Sequence, residues 1–143
     1  MYKKILVPTD GSKFSEKSEE HALFLAEAVG AEVIGLSVVD IKFFNDLPAE
    51  DTIYEINQIL KEESKKNLDR FKDIKREKSS NIKIRTIMIE GFPADTILEV
   101  AKKEDVDLIV IGSSGRTGLQ KFLMGSVADK VVKTAKCNVL VVH

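Results

Sequence analysis

Short aliphatic runs alternate along the chain with stretches in which apolar residues recur every three or four positions. The five runs occupy residues 5–7, 33–39, 82–89, 108–111 and 139–142. Four of them carry few charges, which is typical of strands buried on both faces of a parallel sheet. The run at 82–89 has Lys83 and Arg85 at alternate positions, which indicates an edge strand with one solvated face.

The four intervals between these runs have the period of amphipathic helices. Their apolar faces comprise Phe14, Ala22, Leu25 and Val29, then Ile53, Ile56, Leu60, Leu68, Phe71 and Ile74, then Ala94, Ile97, Leu98 and Ala101, and finally Val127, Val131 and Ala135. Pro93 is expected at the first position of the third helix. The order β-α-β-α-β-α-β-α-β predicts an α/β fold, with a five-stranded, mostly parallel open sheet and helices on both faces.

Length and composition limit the possible functions. The 143 residues, with no Gly-, Pro- or Ser-rich linker, predict a single domain over residues 1–143. A net charge of -1 argues against nucleic-acid binding, and no apolar run reaches the roughly 18 residues of a membrane span. The single cysteine, Cys137, fits a reducing compartment, so a cytoplasmic location is expected.

Open α/β sheets bind ligands outside the carboxyl ends of their strands. At these ends the chain places Pro8-Thr9-Asp10, then Val39-Asp40, and a loop that follows the fourth run. That loop holds four of the chain's eight glycines, Gly112, Gly115, Gly118 and Gly125.

The spacing of these glycines matches neither a P-loop nor a dinucleotide fingerprint. It is Gly112-x2-Gly115-x9-Gly125-Ser126, directly before a helical pattern. Glycine lets the backbone approach a ligand, and the N–H groups at a helix start favour an anion. The loop therefore predicts a phosphate site, and the alternative interpretation is an ordinary glycine-rich surface loop.

Three segments in this order, Pro8-Thr9-Asp10, Ser37-Val38-Val39-Asp40 and the G-x2-G-x9-G-[ST] pattern at 112–126, resemble the nucleotide-binding branch of the universal stress protein family. The likeness covers essentially the whole chain. It implies a Rossmann-like fold of the adenine nucleotide α-hydrolase-like type, with strand order 3-2-1-4-5. It also implies that ATP, with Mg²⁺ or Mn²⁺, lies across the strand ends.

The resemblance carries the family's site onto particular positions of this chain. These are Pro8, Thr9, Asp10, Val38, Ile111, Gly112, Gly115, Arg116, Gly125, Ser126 and Val127. In this assignment the backbone of Val38 contacts adenine, Asp10 is the ribose or metal carboxylate, and the residues at 125–127 hold the phosphates. The motif does not fix the roles of Asp40, Arg116 and Lys121; the last two are either polyphosphate ligands or solvated loop charges.

The function implied is that of an ATP-binding, nucleotide-dependent regulatory or stress-response protein. The alternatives are a slow ATPase and a dimeric interaction module that binds no nucleotide. No catalytic residue is predicted, because the chain has no G-x-S-x-G nucleophile elbow and no triad-like arrangement. The family's strand order leaves residues 139–142 on a sheet edge, so a homodimer through that strand is expected, with further protein partners unspecified.

Overall fold

A computed structural model describes residues 1–41, 50–78, 81–114 and 124–143. Strands and helices alternate through these ranges. In chain order they are β1 (Lys4–Pro8), α1 (Lys13–Val29), β2 (Glu32–Asp40), α2 (Glu50–Lys78), β3 (Ile84–Gly91), α3 (Pro93–Lys103), β4 (Leu108–Gly112), α4 (Ser126–Thr134) and β5 (Asn138–Val142). Each apolar run has become a strand and each helical interval a helix.

The strands form one sheet in the order β3-β2-β1-β4-β5, which confirms the expected order. All four pairings are parallel. β3 lies at one edge, as the charges of its run predicted, and β5 lies at the other. After β1 the chain continues to β2 and β3 on one side of the sheet, and after β4 it continues to β5 on the other side. The strand order therefore reverses between the neighbours β1 and β4.

Helices cover both faces of the sheet, and successive residues of β1 point into two different cores. Ile5 is fully buried in a core that includes Ala22 of α1 and Phe71 of α2. Leu6, the next residue, is fully buried in a second core with Ile97 of α3 and residues of α4. This period of two is the alternation expected for a strand between two helical layers.

The inner face of α1 differs from the predicted one. Val29, assigned to the apolar face, is 48% exposed in the last turn before the αL cap at Gly30. The buried residues are Ser15, Ser18, Glu19, Ala22, Leu23 and Ala26. Most of these are small, so α1 can lie close to the sheet. Of the predicted face, Ala22 is buried and Leu25 is partly buried against the core, but the periodicity of large apolar residues misses Glu19 and the small residues.

α2 is the longest helix described, with 29 residues. Only one side of it is covered, and there Leu68 and Phe71 are buried against the sheet.

In the described part of the chain no helix is both long enough and apolar enough to cross a membrane.

Candidate functional site

A cavity of about 340 Å³ opens at the carboxyl ends of β1 and β4, where the strand order reverses. The ends of β2 and the first turns of α3 and α4 also contribute to its lining. Small-molecule sites in proteins commonly enclose about 300–1,000 Å³, and open α/β sheets hold them at such reversal points. The cavity is therefore the candidate ligand site.

Nine of the eleven predicted site residues line this cavity. They are Pro8, Thr9, Asp10, Val38, Ile111, Gly112, Gly125, Ser126 and Val127. The other two, Gly115 and Arg116, lie outside the described residues, as does Lys121. Asp40, whose role was left open, also lines the cavity. Segments far apart in the sequence thus surround one space.

Several lining residues had not been assigned to the site from the sequence. They include Ser15, Ser37, Ser64, Asn67, Pro93 and Ile97. One signal was available for two of them. Ser64 and Asn67 are polar residues that interrupt the apolar stripe of α2 between Leu60 and Leu68. Polar side chains on the covered face of a helix are a sign that this face meets a ligand or a polar network.

The start of α4 lines the cavity. Gly125 is the N-cap, and the first intrahelical bond runs from Asp129 N–H to the Gly125 carbonyl at 2.9 Å. The N–H groups of residues 126–128 precede that bond, and all three residues line the cavity. Gly125 N–H donates to the Ser113 carbonyl at 2.7 Å, which fixes the helix start against the end of β4. A helix start held in this way favours an anionic group.

The turn after β1 places Asp10 at the rim of the cavity. One carboxylate oxygen of Asp10 accepts a hydrogen bond from Ser12 N–H at 2.9 Å, across Gly11, which has a φ of +78°. Ser12 in turn caps α1 by accepting from Ser15 N–H at 3.2 Å. Asp10 is therefore held by its own turn, with a carboxylate of the hard-oxygen type that suits Mg²⁺.

Gly112 has a packing role that the sequence did not indicate. A Cβ at this position would lie 2.8 Å from the Phe14 carbonyl oxygen and 2.9 Å from its carbon. These are backbone atoms of the first turn of α1, which cannot move aside as a flexible side chain can. The missing side chain therefore lets α1 approach the end of β4, in addition to any contact with a ligand.

A buried carboxylate lies behind the cavity wall. Glu19 of α1 is fully buried, and its Oε1 accepts a hydrogen bond from the Thr9 hydroxyl. The same oxygen accepts from Arg70 Nη2 at 3.2 Å, while Arg70 Nη1 bonds Glu16 at 2.8 Å. Burial raises the pKa of the Glu19 carboxyl, and the Thr9 hydrogen bond and the Arg70 charge oppose that rise. Among the described residues Glu19 Oε2 has no hydrogen-bond partner.

Glu19 was not among the residues singled out from the sequence. It lies in the polar stretch 15–21, which resembles a solvated helix face. Its position three residues before Ala22 and four after Ser15 places it on the same face as both. That spacing, once the small residues are counted as the inner face, would have predicted its burial.

Comparison with known proteins identifies relatives over the full length of the chain. The model of the universal stress protein family matches residues 1–143. The universal stress protein MJ0531 of Methanocaldococcus jannaschii is 46% identical over 142 residues, which cover 99% of this chain and 82% of that protein.

Solved structures agree with this assignment. The structure of MJ0577, a universal stress protein of Methanocaldococcus jannaschii, superposes with a TM-score of 0.84 at 36% identity, covering 99% of this chain and 96% of that one. A universal stress protein solved in complex with cAMP superposes with a TM-score of 0.64 at 26% identity, covering 99% and 97%. The chain is thus similar to these proteins in both sequence and fold.

Proposed function

This chain belongs to the universal stress protein family, and we propose that it binds ATP in the cavity between β1 and β4 and acts as a nucleotide-dependent regulatory protein. The observation that carries the proposal is the start of α4, where the three residues whose N–H groups precede the first intrahelical bond line a cavity that also has apolar walls. The cAMP complex of a relative supports an adenine nucleotide as the ligand class.

The two sides of the cavity suit the two parts of a nucleotide. Val38, Ile97 and Ile111 provide aliphatic surface for a base, and the Val38 backbone is the proposed adenine contact. The first turn of α4 provides donors for phosphate oxygens, with each dipole-anion contact contributing about 0.3–1 kcal/mol. We assign the phosphates to Gly125, Ser126 and Val127 on this ground.

A divalent cation would enter with the nucleotide. Asp10 is the proposed protein ligand, because its carboxylate oxygens are hard donors at the cavity rim. No group of three or more His, Cys, Asp or Glu side chains arranged to hold an ion occurs among the residues described. The proposal therefore assigns the remaining ligands of Mg²⁺ or Mn²⁺ to phosphate oxygens and water. ATP affinity measured with Mg²⁺ and again with EDTA tests this assignment, with a loss in EDTA expected.

Substitution at the N-cap of α4 tests the proposed function. Gly125 has φ -62° and ψ 161°, which any residue adopts, and Asp and Asn are both favoured N-caps. Gly125→Asp should therefore fold normally while its charge repels phosphate, whereas Gly125→Asn has the same shape without the charge. Calorimetry should show ATP binding at least about tenfold weaker in the Asp variant than in the Asn variant. Equal affinities in two folded variants would refute the phosphate site.

Two further functions are consistent with family membership and are distinguished by direct measurement. A slow ATPase would release phosphate in a single-turnover assay with labelled ATP, and we expect little or none. An interaction module without nucleotide would yield no adenine absorbance when the purified protein is denatured. Co-purified nucleotide would exclude this second alternative.

We also propose a homodimer through β5. This strand forms an edge of the sheet and pairs only with β4 in the described structure. Leu140 on it is 36% exposed, and an apolar edge strand tends to pair with another copy. Light scattering at micromolar concentration should give the mass of a dimer, and Leu140→Lys should shift that mass toward a monomer. A monomeric wild-type protein would contradict the proposal.

A further inference from the structure

Thr9 lies between the ligand cavity, which it lines, and a buried carboxylate, to which its hydroxyl donates. Thr9 lines the cavity and is 4% exposed, and its backbone is fixed because Thr9 N–H donates to the Leu36 carbonyl at 2.8 Å. Its side chain bonds Glu19, which lies behind the wall and is fully buried. The direction of the Thr9 hydroxyl proton is therefore set from outside the cavity.

The contacts of Glu19 determine which partner supplies that proton. Glu19 Oε1 also accepts from Arg70 Nη2, a group that can only donate, so this oxygen acts as an acceptor. Thr9 is the donor in its own hydrogen bond to this oxygen. The other hydroxyl near Thr9 is that of Ser15 at 3.5 Å, and its own proton goes to the Ser12 carbonyl at 2.9 Å.

We infer that Glu19 is a positioning residue, which makes Thr9 a hydrogen-bond acceptor toward the cavity and so favours a ligand that presents a donor there. A hydroxyl has one proton. When the hydroxyl donates that proton in a hydrogen bond to a carboxylate, it can offer the ligand only its lone pairs. Phosphate oxygens offer no proton, so Thr9 faces the nucleoside part of a nucleotide. The donors available are the ribose hydroxyls and the adenine amino group. This preference rests on the proposed function.

Three variants distinguish a positioning role of Glu19 toward Thr9 from a purely structural role. Thr9→Val removes the hydroxyl at nearly constant shape. Glu19→Gln keeps an acceptor oxygen for Thr9 and Arg70, whereas Glu19→Met removes it. Glu19→Met should still fold, because Arg70, the partner it leaves, is 33% exposed and keeps its bond to Glu16, so no buried charge is left unpaired.

The preference for a donor on the nucleoside is tested by measuring the affinities for ATP and three analogues. These are 2′-deoxy-ATP, 3′-deoxy-ATP and the triphosphate of purine riboside, which lacks the amino group. In the wild type at least one analogue should bind about fivefold to tenfold more weakly than ATP, the effect of one hydrogen bond. Glu19→Gln should retain this ratio of the affinity for ATP to the affinity for the analogue, while Thr9→Val and Glu19→Met should bring the ratio close to one. An unchanged ratio in Glu19→Met would overturn the inference, as would an unchanged ratio in Thr9→Val.

A second readout needs no ligand. Three-bond NMR couplings report the χ1 angle of Thr9 in the free protein, which should match the wild type in Glu19→Gln and change in Glu19→Met. If the wild type bound no nucleotide, the proposed function and the ligand preference would both fail, yet these couplings would still decide the positioning role. Identical couplings in wild type and Glu19→Met would refute that role.

Discussion

The two ends of the parallel sheet use their polar groups differently. At the amino end, charged side chains have protein partners: Asp107 accepts from the backbone N–H groups of Lys3 and Lys4 at 2.7 and 2.9 Å, and Arg85 bonds Glu104 at 2.5 Å. At the carboxyl end, backbone N–H groups and hydroxyls surround a cavity. The difference indicates that polar groups at the amino end contribute to stability alone, so a substitution there can change stability without changing binding.

The largest effect is expected at the carboxyl end, where packing and binding meet. Gly112→Ala places a Cβ within 3 Å of the Phe14 backbone, so α1 must shift. Overpacking of this kind costs about 1–3 kcal/mol, and the shift should also weaken ATP binding because α1 carries Ser15 of the cavity wall. Urea unfolding and calorimetry on one variant measure both quantities. A fully stable Gly112→Ala would show that α1 is not held as closely as described.

A smaller effect, restricted to stability, is expected at the amino end. Asp107→Ala removes the acceptor of two backbone N–H groups and should lower the free energy of unfolding by about 1–2 kcal/mol. The expected loss is this small because one of the two hydrogen bonds is exposed to solvent and the other is only partly buried. Asp107→Asn keeps an acceptor oxygen without the charge and should lose less. ATP affinity should stay within about twofold of wild type in both. A loss of affinity matching that of Gly112→Ala would contradict the separation of the two ends.

The contrast between the ends also shows which features could be predicted from the sequence. The alternation of strands and helices follows from regular periodicity, which local patterns encode, whereas the strand order and the positions of Pro8, Val38 and Gly125 around one cavity are implied by the resemblance of the motifs at strand ends to a family. Glu19 and its bond to Thr9 follow from neither, because a charged residue in a polar stretch is expected in solvent. Its burial depends on how closely α1 approaches the sheet, a property of tertiary packing.

Gly112 illustrates the same limit. The motif identified it, but the reason given was access for a ligand, whereas the structure shows that Phe14 packs against it. Residues 115–123, which the motif also includes, lie outside the described structure, so the assignments of Gly115 and Arg116 remain predictions.

Acid should affect the two ends in opposite directions. Backbone N–H groups of Lys3 and Lys4 lower the pKa of Asp107 from 3.8, so its stabilisation is present above that value and is lost as pH falls through the lowered pKa. Burial raises the pKa of Glu19 from 4.5, so its contribution is complete below that value and is lost as pH rises through the raised pKa.

These opposite pH dependences of stability can be measured by urea unfolding of the wild type, Glu19→Gln and Asp107→Asn as a function of pH. As pH falls through the raised pKa of Glu19 toward 4.5, Glu19→Gln should lack the gain in stability that protonation of Glu19 provides in the wild type. Below about pH 4, Asp107→Asn should lose less stability than the wild type. Parallel curves for the wild type and Glu19→Gln would show that Glu19 does not titrate differently in the folded state.

The smallest effect is expected for the exposed ion pairs of the amino end. Arg85 is 39% exposed and bonds Glu32 at 2.7 Å as well as Glu104. Arg85→Gln should lower Tm by about 2 °C or less, and added salt should reduce the difference, because solvent and ions screen such pairs. Lys83→Gln is the matched control, since Lys83 is 75% exposed and lies 3.9 Å from the same Glu32, so no measurable change is expected. A salt-independent loss of several degrees in Arg85→Gln would instead place this network among the buried elements that hold the fold.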